Sequence, residues 1–360
     1  MESTLFLRRI TKSPKKVLVL RTDRIGDFVL SLPVFEVLSN RLGMTVDVLC
    51  RPAVLPLLDH NPHVRLAHSY NQEIEKHLLE KLNHDSFDAL LVLVNDEVAR
   101  RAIPQLSQIP IRIGPLSKPG MLRYYTHPAI QKRSRSVQSE ALYNLDLTRA
   151  FGWDGQLPPK PQLYFNPAEV SDFAALLTQK LPTLDLTSGY IVVHPGMAGS
   201  ALNWPLSHYG ELLAHLAAKQ QVVLTGASLA ESETNQQLIE ALPSDLKKGV
   251  FNGAQKFSLR ELALLCRAAQ CFVGPSTGPT HLAAAAGAPV VSFYPPIRVQ
   301  SKTRWAPFMA EGTIFDPQVL CGEKYQCRGV ECEHFDCMSL ITAEQVYTAV
   351  LANQRWEAKP

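Results

Sequence analysis

Short apolar runs alternate with helical stretches along this 360-residue chain, and the alternation occurs in two separate blocks. The runs are four to six residues long and rich in Val, Leu and Ile, as expected of buried parallel strands. This pattern predicts two doubly wound parallel sheets of the Rossmann type, and therefore an α/β fold whose ligands bind beyond the carboxyl ends of strands. The predicted strands are 17–20, 45–50, 89–94, 190–194, 221–225, 271–274 and 289–294, and the predicted helices are 28–42, 136–151, 206–219, 231–242, 258–269 and 279–286.

The length of the chain favours two domains, because 360 residues exceed one ordinary hydrophobic core. The composition changes to Pro, Gly and Lys around 153–161, which indicates a seam. We therefore expect an N-terminal domain at 1–165, a C-terminal domain at 166–345 and a C-terminal tail at 346–360.

Charge and hydropathy limit the partners of the protein. The chain has 36 Lys and Arg against 33 Asp and Glu, a formal charge of +3 that does not call for nucleic acid. Residues 1–16 contain no apolar run of signal length, and no stretch approaches a membrane span, so we expect a cytoplasmic protein. Two basic clusters could meet anionic headgroups or could simply be a solubilising surface: Arg8, Arg9, Lys12, Lys15 and Lys16, and Arg123, Lys132, Arg133 and Arg135.

The segment Val273–His281 contains the most informative turn. It is typical of a strand end, a tight turn and a helix start, where Ser276 or Thr277 can cap the helix. A helix start offers free N–H groups and a positive dipole end, which favours a phosphate or diphosphate. The candidate ligand-binding residues are Ser276, Thr277, Gly278, Pro279, Thr280 and His281.

A second charged turn, Arg21–Asp27, follows the first predicted strand. Asp27 could be a general base that takes a proton from an attacking hydroxyl in a cleft between the domains. It could equally cap the following helix and pair with an arginine. The turn lacks the G-x-G-x-x-G spacing of a dinucleotide fingerprint.

Two further loops follow strands of the second block. Gly196, Gly199 and Ser200 could offer N–H groups to phosphate oxygens, or could form an ordinary flexible loop without the Lys-Ser/Thr of a P-loop. After Thr225 and Gly226, Glu231 could accept hydrogen bonds from ribose hydroxyls or could be a favourable charge at a helix start. Trp204 is better explained by packing than by stacking on a base.

Four cysteines lie close together near the end of the chain. Their spacing, C-x5-C-x4-C-x4-C, departs from the paired C-x2-C of common zinc sites. Zinc binding is one interpretation, with His334 as a further ligand, and reduced structural thiols or a disulfide pair is the favoured one. The four are Cys321, Cys327, Cys332 and Cys337.

Taken together, these loops resemble glycosyltransferase family 9, the lipopolysaccharide heptosyltransferases, over nearly the whole chain. The resemblance is carried by Arg21–Asp27 with Leu32-Pro33, by His194-Pro195-Gly196 with Asn203-Trp204-Pro205, by Leu224-Thr225-Gly226 and, most specifically, by Ser276–Ala285. The cysteines ending in Cys337-Met338 resemble the tail of a heptosyltransferase II-like branch.

The resemblance implies a GT-B fold, in which two Rossmann-like domains face an interdomain cleft. It implies a metal-independent, inverting transfer without a cofactor, from ADP-L-glycero-β-D-manno-heptose to the inner core of lipopolysaccharide. Asp27 would be the base, Arg21, Asp23 and Arg24 would lie near the acceptor, and the turn at 276–281 would bind the diphosphate. A lipid-anchored acceptor also implies peripheral contact with the cytoplasmic face of the inner membrane.

The chain departs from the family pattern at two positions. Leu202 stands where many members have a lysine near the donor phosphates, and Ser276 stands where many have aspartate. The alternatives that stay open are a related transferase with another nucleotide sugar, a nucleotide-sugar-binding protein without turnover, and an NAD-dependent oxidoreductase, which would lack its glycine fingerprint.

Overall fold

The computed structural model describes residues 4–11, 14–70, 75–116, 119–197, 199 and 201–355. The chain forms two compact units, Met1–Tyr164 and Phe165–Pro360. Each unit is built around one sheet of its own.

The first unit contains a seven-stranded sheet. Its strands are β1 (Thr4–Phe6), β2 (Lys16–Arg21), β3 (Thr45–Cys50), β4 (Leu66–Ser69), β5 (Ala89–Val92), β6 (Ile111–Pro115) and β7 (His127–Gln131). The spatial order is β1-β7-β6-β5-β2-β3-β4, and all neighbours are parallel except β1, which pairs antiparallel with β7 at the edge. The helices are α1 (Ile25–Val29), α2 (Leu32–Glu36), α3 (Glu75–His84), α4 (Glu97–Ala102) and α5 (Glu140–Asp146).

The second unit contains a six-stranded sheet that is parallel throughout. Its strands are β8 (Tyr190–Val193), β9 (Gln221–Leu224), β10 (Val250–Asn252), β11 (Cys271–Pro275), β12 (Val290–Phe293) and β13 (Gly312–Phe315). The spatial order β10-β9-β8-β11-β12-β13 is the Rossmann order, with β8 and β11 side by side where the winding reverses. The helices are α6 (Pro167–Lys180), α7 (Leu206–Ala217), α8 (Leu229–Glu240), α9 (Leu259–Ala268), α10 (Gly278–Ala285), α11 (Lys302–Trp305) and α12 (Ala343–Asn353).

Continuous apolar strands in this sheet have both faces covered. Ile191 and Val193 pack into one core cluster, whereas the alternate residues Tyr190 and Val192 pack into the cluster on the other face. Side chains of a strand point to opposite faces, so a strand covered on both sides is apolar at every position. The prediction of two doubly wound parallel sheets is confirmed.

The predicted helix at 28–42 is wrong as a single element. The structure has α1, then α2, then a π-helical turn at Val37–Arg41. Pro33 lies in the first turn of α2. Its missing N–H and fixed φ suit a helix start but not the interior of a continuous helix, which explains the break.

The predicted helix at 136–151 is shorter than expected. It begins with Ser139, whose side chain caps α5, and continues as a 3-10 turn over Leu147–Phe151. Gly152 ends it with a φ of 106°, the left-handed conformation that glycine adopts without strain. Ser258 and Glu261 form a capping box at the start of α9.

Most of the expected tail at 346–360 is not a tail. Residues up to Asn353 belong to α12, and Val346 and Val350 are fully buried in the core cluster that covers one face of the second sheet. Their apolar side chains gain more free energy from burial than a free segment could. The part of the chain that the structure describes contains no helix with the length and apolar character needed to cross a bilayer.

Candidate active site

The turn between β11 and α10 is built to leave a helix start open. Thr277 is the N-cap residue of α10, but no side chain among the described residues caps that helix. Thr280 instead donates its hydroxyl to the carbonyl of Pro275 at 2.6 Å, and Thr277 does so at 3.5 Å. Pro279 lies in the first turn, as predicted. The N–H groups of the first turn therefore point toward any anion at this end of the helix.

His281 lies one turn into α10 and is 4% exposed. Burial lowers the pKa of His281 to about 4, so the ring is neutral at pH 7. Within the described part of the chain its Nδ1 has no hydrogen-bond partner. A buried polar atom left unpaired costs free energy, and a ligand that pairs with it recovers that cost.

The loop after β8 meets the start of α8 through Glu231. A Cβ added to Gly196 would lie 2.0 Å from Oε1 of Glu231, and one added to Gly226 would lie 2.8 Å from its Cβ. Glu231 completes the capping box of α8 by accepting from the amides of Ala227 at 2.8 Å and Ser228 at 3.0 Å. Only glycine fits at these two positions without a clash, because the side chain of Glu231 is fixed there by its hydrogen bonds.

Glu231 and His194 interact electrostatically, and each shifts the pKa of the other. Burial alone would raise the pKa of Glu231, but the amides of Ala227 and Ser228 and the charge of His194 hold it below its usual range. Burial lowers the pKa of His194 to about 4, against the opposing effect of Glu231. His194 Nδ1 lies 3.0 Å from the hydroxyl of Thr225, which is 2% exposed.

These loops come from neighbouring strands. β8 and β11 pair directly, so the segments that follow them, 194–197 and 276–281, leave the same edge of the sheet at its switch point. Gly199 is exposed with a φ of 70°, and Ser200 lies outside the described residues. Gly278, like Ser276, is partly buried on this turn.

Asn203 has a role in this loop that the sequence did not reveal. Its amide donates to the carbonyl of Pro195 at 2.8 Å, and its oxygen accepts from the amide of Trp204 and the hydroxyl of Tyr209. Trp204 is 1% exposed and donates from Nε1 to the carbonyl of Ile341 at 2.7 Å, which confirms its interpretation as packing. Asn203 thus ties the loop after β8 to the core beneath it.

The charged turn of the first unit is centred on Arg21, the last residue of β2. Arg21 is 1% exposed. Its Nε lies 2.7 Å from Oδ1 of Asp23, and its Nη2 lies 3.3 Å from Oδ1 of Asp27. Arg24, the N-cap residue of α1, is exposed. Asp27 therefore lies in the first turn of α1 rather than at its cap, and it pairs with an arginine as the second interpretation expected.

The carboxylates of Asp23 and Asp27 are more exposed than the guanidinium of Arg21 with which they pair. The side chains of Asp23 and Asp27 are 19% and 22% exposed, so both reach solvent while Arg21 does not. Burial, with the charges of Asp27 and Glu140, raises the pKa of Asp23 to about 7, despite the opposing effect of Arg21. Of the residues expected to contact an acceptor, Asp23 and Arg24 are accessible, and Arg21 can act only through the carboxylates that it holds.

Two residues behind Arg21 were missed by the sequence analysis. Asn144 accepts from Nη1 of Arg21 at 3.1 Å, and Glu140 lies 4.0 Å from its Nη2. Both belong to α5, more than a hundred residues further along the chain, and both are buried. A polar pair on the inner face of a short helix was the available signal, because such residues are rarely buried without a partner.

All seven cysteines are free thiols. Burial, Asp336 and the three neighbouring thiols at 321, 327 and 332 raise the pKa of Cys337 to about 11. Among the described residues, no group of three or more His, Cys, Asp and Glu side chains is arranged to hold a metal ion.

Comparisons with known proteins agree with this architecture. The sequence pattern of glycosyltransferase family 9 (heptosyltransferase) matches residues 76–329. A putative glycosyltransferase of Haemophilus influenzae is 33% identical over 81% of this chain and 86% of its own length. Lipopolysaccharide heptosyltransferase 2 of Salmonella typhimurium is 27% identical over 78% of this chain and 83% of its own. The solved structure of E. coli ADP-heptose lps heptosyltransferase II superposes with a TM-score of 0.75 at 24% identity, covering 94% of this chain and 98% of that one.

Two Rossmann-type units, each built on its own doubly wound sheet, give this chain the GT-B fold of the solved heptosyltransferase. The chain belongs to glycosyltransferase family 9, the heptosyltransferase family.

Proposed function

We propose that this protein moves a heptose from ADP-L-glycero-D-manno-heptose to the inner core of lipopolysaccharide. The observation that carries the proposal is the start of α10, where an uncapped first turn and the unpaired Nδ1 of buried His281 favour a diphosphate. The names of two relatives, a lipopolysaccharide heptosyltransferase and an ADP-heptose enzyme, support the choice of sugar and acceptor.

In the proposed mechanism, Asp27 takes the proton of an acceptor hydroxyl. The oxygen then attacks the anomeric carbon from the face opposite the diphosphate, so that the configuration inverts. The bond from that carbon to the diphosphate oxygen breaks, and ADP leaves with the bonding electrons. N–H groups of Ser276, Gly278 and Thr280 and of the loop at Gly196 and Gly199, with neutral His281, stabilise the charge that develops. Each such contact contributes about 2–4 kcal/mol to lowering the barrier.

The remaining site residues have supporting roles in this proposal. Arg21 orients Asp27, and Asp23 and Arg24 offer an acceptor and a donor to the acceptor sugar. Thr225, Gly226 and Glu231 shape the nucleotide end, because Glu231 is held by the cap of α8 beside both glycines. Ser200 would add an N–H group from the segment beyond Gly199.

We also propose that the transfer needs no metal ion. Protein N–H groups and a neutral histidine supply the stabilisation that a divalent cation would otherwise give. Turnover should therefore be unchanged in excess EDTA after the protein has been purified with chelator. A loss of rate that Mg²⁺, Zn²⁺ or iron restores would show that a metal takes part.

The experiment that tests the proposal measures nucleotide release from ADP-heptose on adding core lipopolysaccharide with and without its first heptose. We expect release that depends on the acceptor and that falls by about 10²-fold or more in Asp27→Asn. ADP-mannose, UDP-glucose and GDP-mannose serve as competing donors. Release from one of these alone would mean a related transferase with another nucleotide sugar.

One observation favours that second candidate. Leu202 stands where the resemblance to the family implies a lysine near the donor phosphates, and its side chain packs against the apolar core of the second unit. No cation is supplied at this position, so the affinity for a nucleotide sugar, or the choice of nucleotide sugar, should differ from that of an enzyme with the lysine. Tight ADP binding without release on any acceptor would instead indicate a binding protein without turnover.

We propose, finally, that the first unit contacts an anionic membrane surface. It has 22 Lys and Arg against 16 Asp and Glu, a formal charge of +6, whereas the second unit has 14 against 17, a charge of −3. No acidic residue lies between Glu97 and Glu140. The pairing of β1 with β7 brings Arg8 and Arg9, with exposed Leu5 and Leu7, beside this acid-free region.

A flotation assay with vesicles of anionic and neutral phospholipid tests this contact. We expect binding to the anionic vesicles only, loss of binding in high salt, and weakening in the double variant Arg8→Glu/Arg9→Glu. The matched control is Lys247→Glu/Lys248→Glu on the second unit, which should float like the wild type. Equal loss in both variants would mean that net charge, not this surface, governs binding.

A further inference from the structure

Glu140 is a buried acid for which the transfer as described has no use. It opens α5 and is only 2% exposed. Its Oε1 lies 2.5 Å from Nη1 of Arg133 and 4.0 Å from Nη2 of Arg21. Burying a carboxylate is costly unless cations compensate, and here two guanidiniums do so.

Arg21 is held on every side of its planar group. Nη1 donates to the carbonyl of Leu93 at 3.3 Å and to Oδ1 of Asn144 at 3.1 Å. Nη2 donates to Asp27 at 3.3 Å. Because the guanidinium is rigid, an orientation fixed at its inner edge is passed to the carboxylate at its outer edge.

The side chains around Arg21 form a cluster of opposite charges. Two guanidiniums, Arg21 and Arg133, face three carboxyl groups, Asp23, Asp27 and Glu140. The groups that act electrostatically on Arg21 are these same three acids. Burial is the main cause of the raised pKa of Asp23, about 7, and the charges of Asp27 and Glu140 raise it further.

We propose that Glu140 and Arg133 are positioning residues that set the basicity of Asp27 through Arg21. Glu140 draws part of the charge of Arg21 inward, so that Asp27 remains basic enough to take a proton. Arg133 limits this effect by neutralising Glu140 from the other side. This inference rests on the proposed role of Asp27 as the base.

The two residues should therefore shift the pH profile of turnover in opposite directions. In Glu140→Gln, Asp27 and Asp23 face an uncompensated Arg21, so the acidic limb of kcat should move to lower pH by ~0.5 unit or more and the plateau should fall. In Arg133→Gln, Glu140 is unbalanced, so the limb should move to higher pH by a similar amount. The double variant should return toward the wild-type limb, because the two charges are removed together.

Matched controls separate this effect from general damage to the fold. Glu80→Gln and Arg135→Gln change exposed residues of the same unit and should leave the limb in place. Loss of rate without any shift in Glu140→Gln and Arg133→Gln would show a purely structural role and would overturn the inference. Shifts in the same direction in both variants would also overturn it.

A second readout needs no substrate and distinguishes this inference from the proposed function. The folded-state pKa of Asp23 lies above its unfolded value, so the folded state binds more protons between about pH 4 and 7, and unfolding free energy falls as pH rises through that window. In Glu140→Gln this fall should be smaller than in the wild type, because Asp23 loses a repelling neighbour. If no transfer is found but the slopes differ in this way, the charge cluster stands and the proposed function fails. Equal slopes of unfolding free energy against pH in the wild type and in Glu140→Gln would show that Glu140 does not act on the charges of this cluster, and would overturn the inference.

Discussion

Asp27 in the first unit lies against a buried guanidinium, whereas His281 in the second is a neutral imidazole enclosed by the fold. The first site collects five ionisable groups and can hold or release a proton near pH 7. The second uses uncharged groups, since burial lowers the pKa of both His194 and His281 to about 4. One region is suited to moving a proton and the other to receiving negative charge.

The contrast shows that a general base and a site for a leaving diphosphate need different electrostatic surroundings. A general base must change its protonation state during the reaction, so it benefits from neighbours that tune its pKa. A site for a leaving diphosphate must not change, so fixed N–H dipoles and a neutral ring serve it better.

The largest expected effect is at Asp27. Asp27→Asn removes the proton acceptor while keeping the size of the side chain, so turnover should fall by about 10²–10⁴-fold. Binding of ADP, measured by calorimetry, should stay within about twofold, because Asp27 belongs to the other unit. Asp59→Asn, at an exposed position, is the control. A loss of ADP affinity in Asp27→Asn as large as the loss of turnover would show that Asp27 also binds the donor, which contradicts the proposed separation of base and donor site.

A smaller effect is expected at His281. His281→Ala removes a buried group whose Nδ1 is available to a ligand, so the Kd for ADP should rise by about 5–100-fold, the equivalent of ~1–3 kcal/mol. The pH profile of the remaining turnover should keep its acidic limb. His77→Ala, at a 97% exposed side chain, should change neither quantity. A shift of the acidic limb in His281→Ala would show that His281, and not a group of the first unit, controls the proton transfer.

The smallest expected effect is that of pH on donor binding. Between pH 5.5 and 8 both histidines stay uncharged, because their folded-state pKa values of about 4 lie below this window. The Kd of ADP-heptose, whose diphosphate does not titrate here, should change by less than about twofold, while turnover falls toward acid. Binding that tightens tenfold on acidification would mean that a protonated histidine holds the diphosphate.

The same pKa shifts act on stability with a definite sign. Depressed histidine pKa values mean that the unfolded chain binds more protons between pH 4 and 6.5, so unfolding free energy should fall as pH drops through that window. Asp23 acts in the opposite direction over the same range. Comparing His281→Ala with Asp23→Asn in a pH series of melting curves separates the two.

Local patterns were enough to predict the architecture. Apolar runs that fill both faces of a strand can arise only in covered sheets, and the turn at 276–281 carries its helix-start chemistry in adjacent residues. The helix at 28–42 failed because Pro33 starts a new helix inside a stretch whose apolar residues continue through all three segments. The tail at 346–360 failed because its partners, such as Val193 and Val273, are distant in sequence.

The charge cluster could not have been predicted for the same reason. Glu140 lies 119 positions after Arg21, and nothing local distinguishes it from an ordinary acidic residue in the first turn of a helix. Only the order of the sheet, with α5 packed near α2, brings it behind the guanidinium. Asn203 was missed similarly, since its partner Pro195 depends on how the loop folds back.

The burial of α12 has a consequence for synthesis of the protein on the ribosome. The first unit, Met1–Tyr164, is compact and comes first in the sequence, so we expect it to fold while the rest is still being translated. The second core closes only when Val346 and Val350 have left the exit tunnel, after all six strands of its sheet have been made. The unit that carries the open helix start is therefore completed last, after the unit that carries Arg21 and its carboxylates.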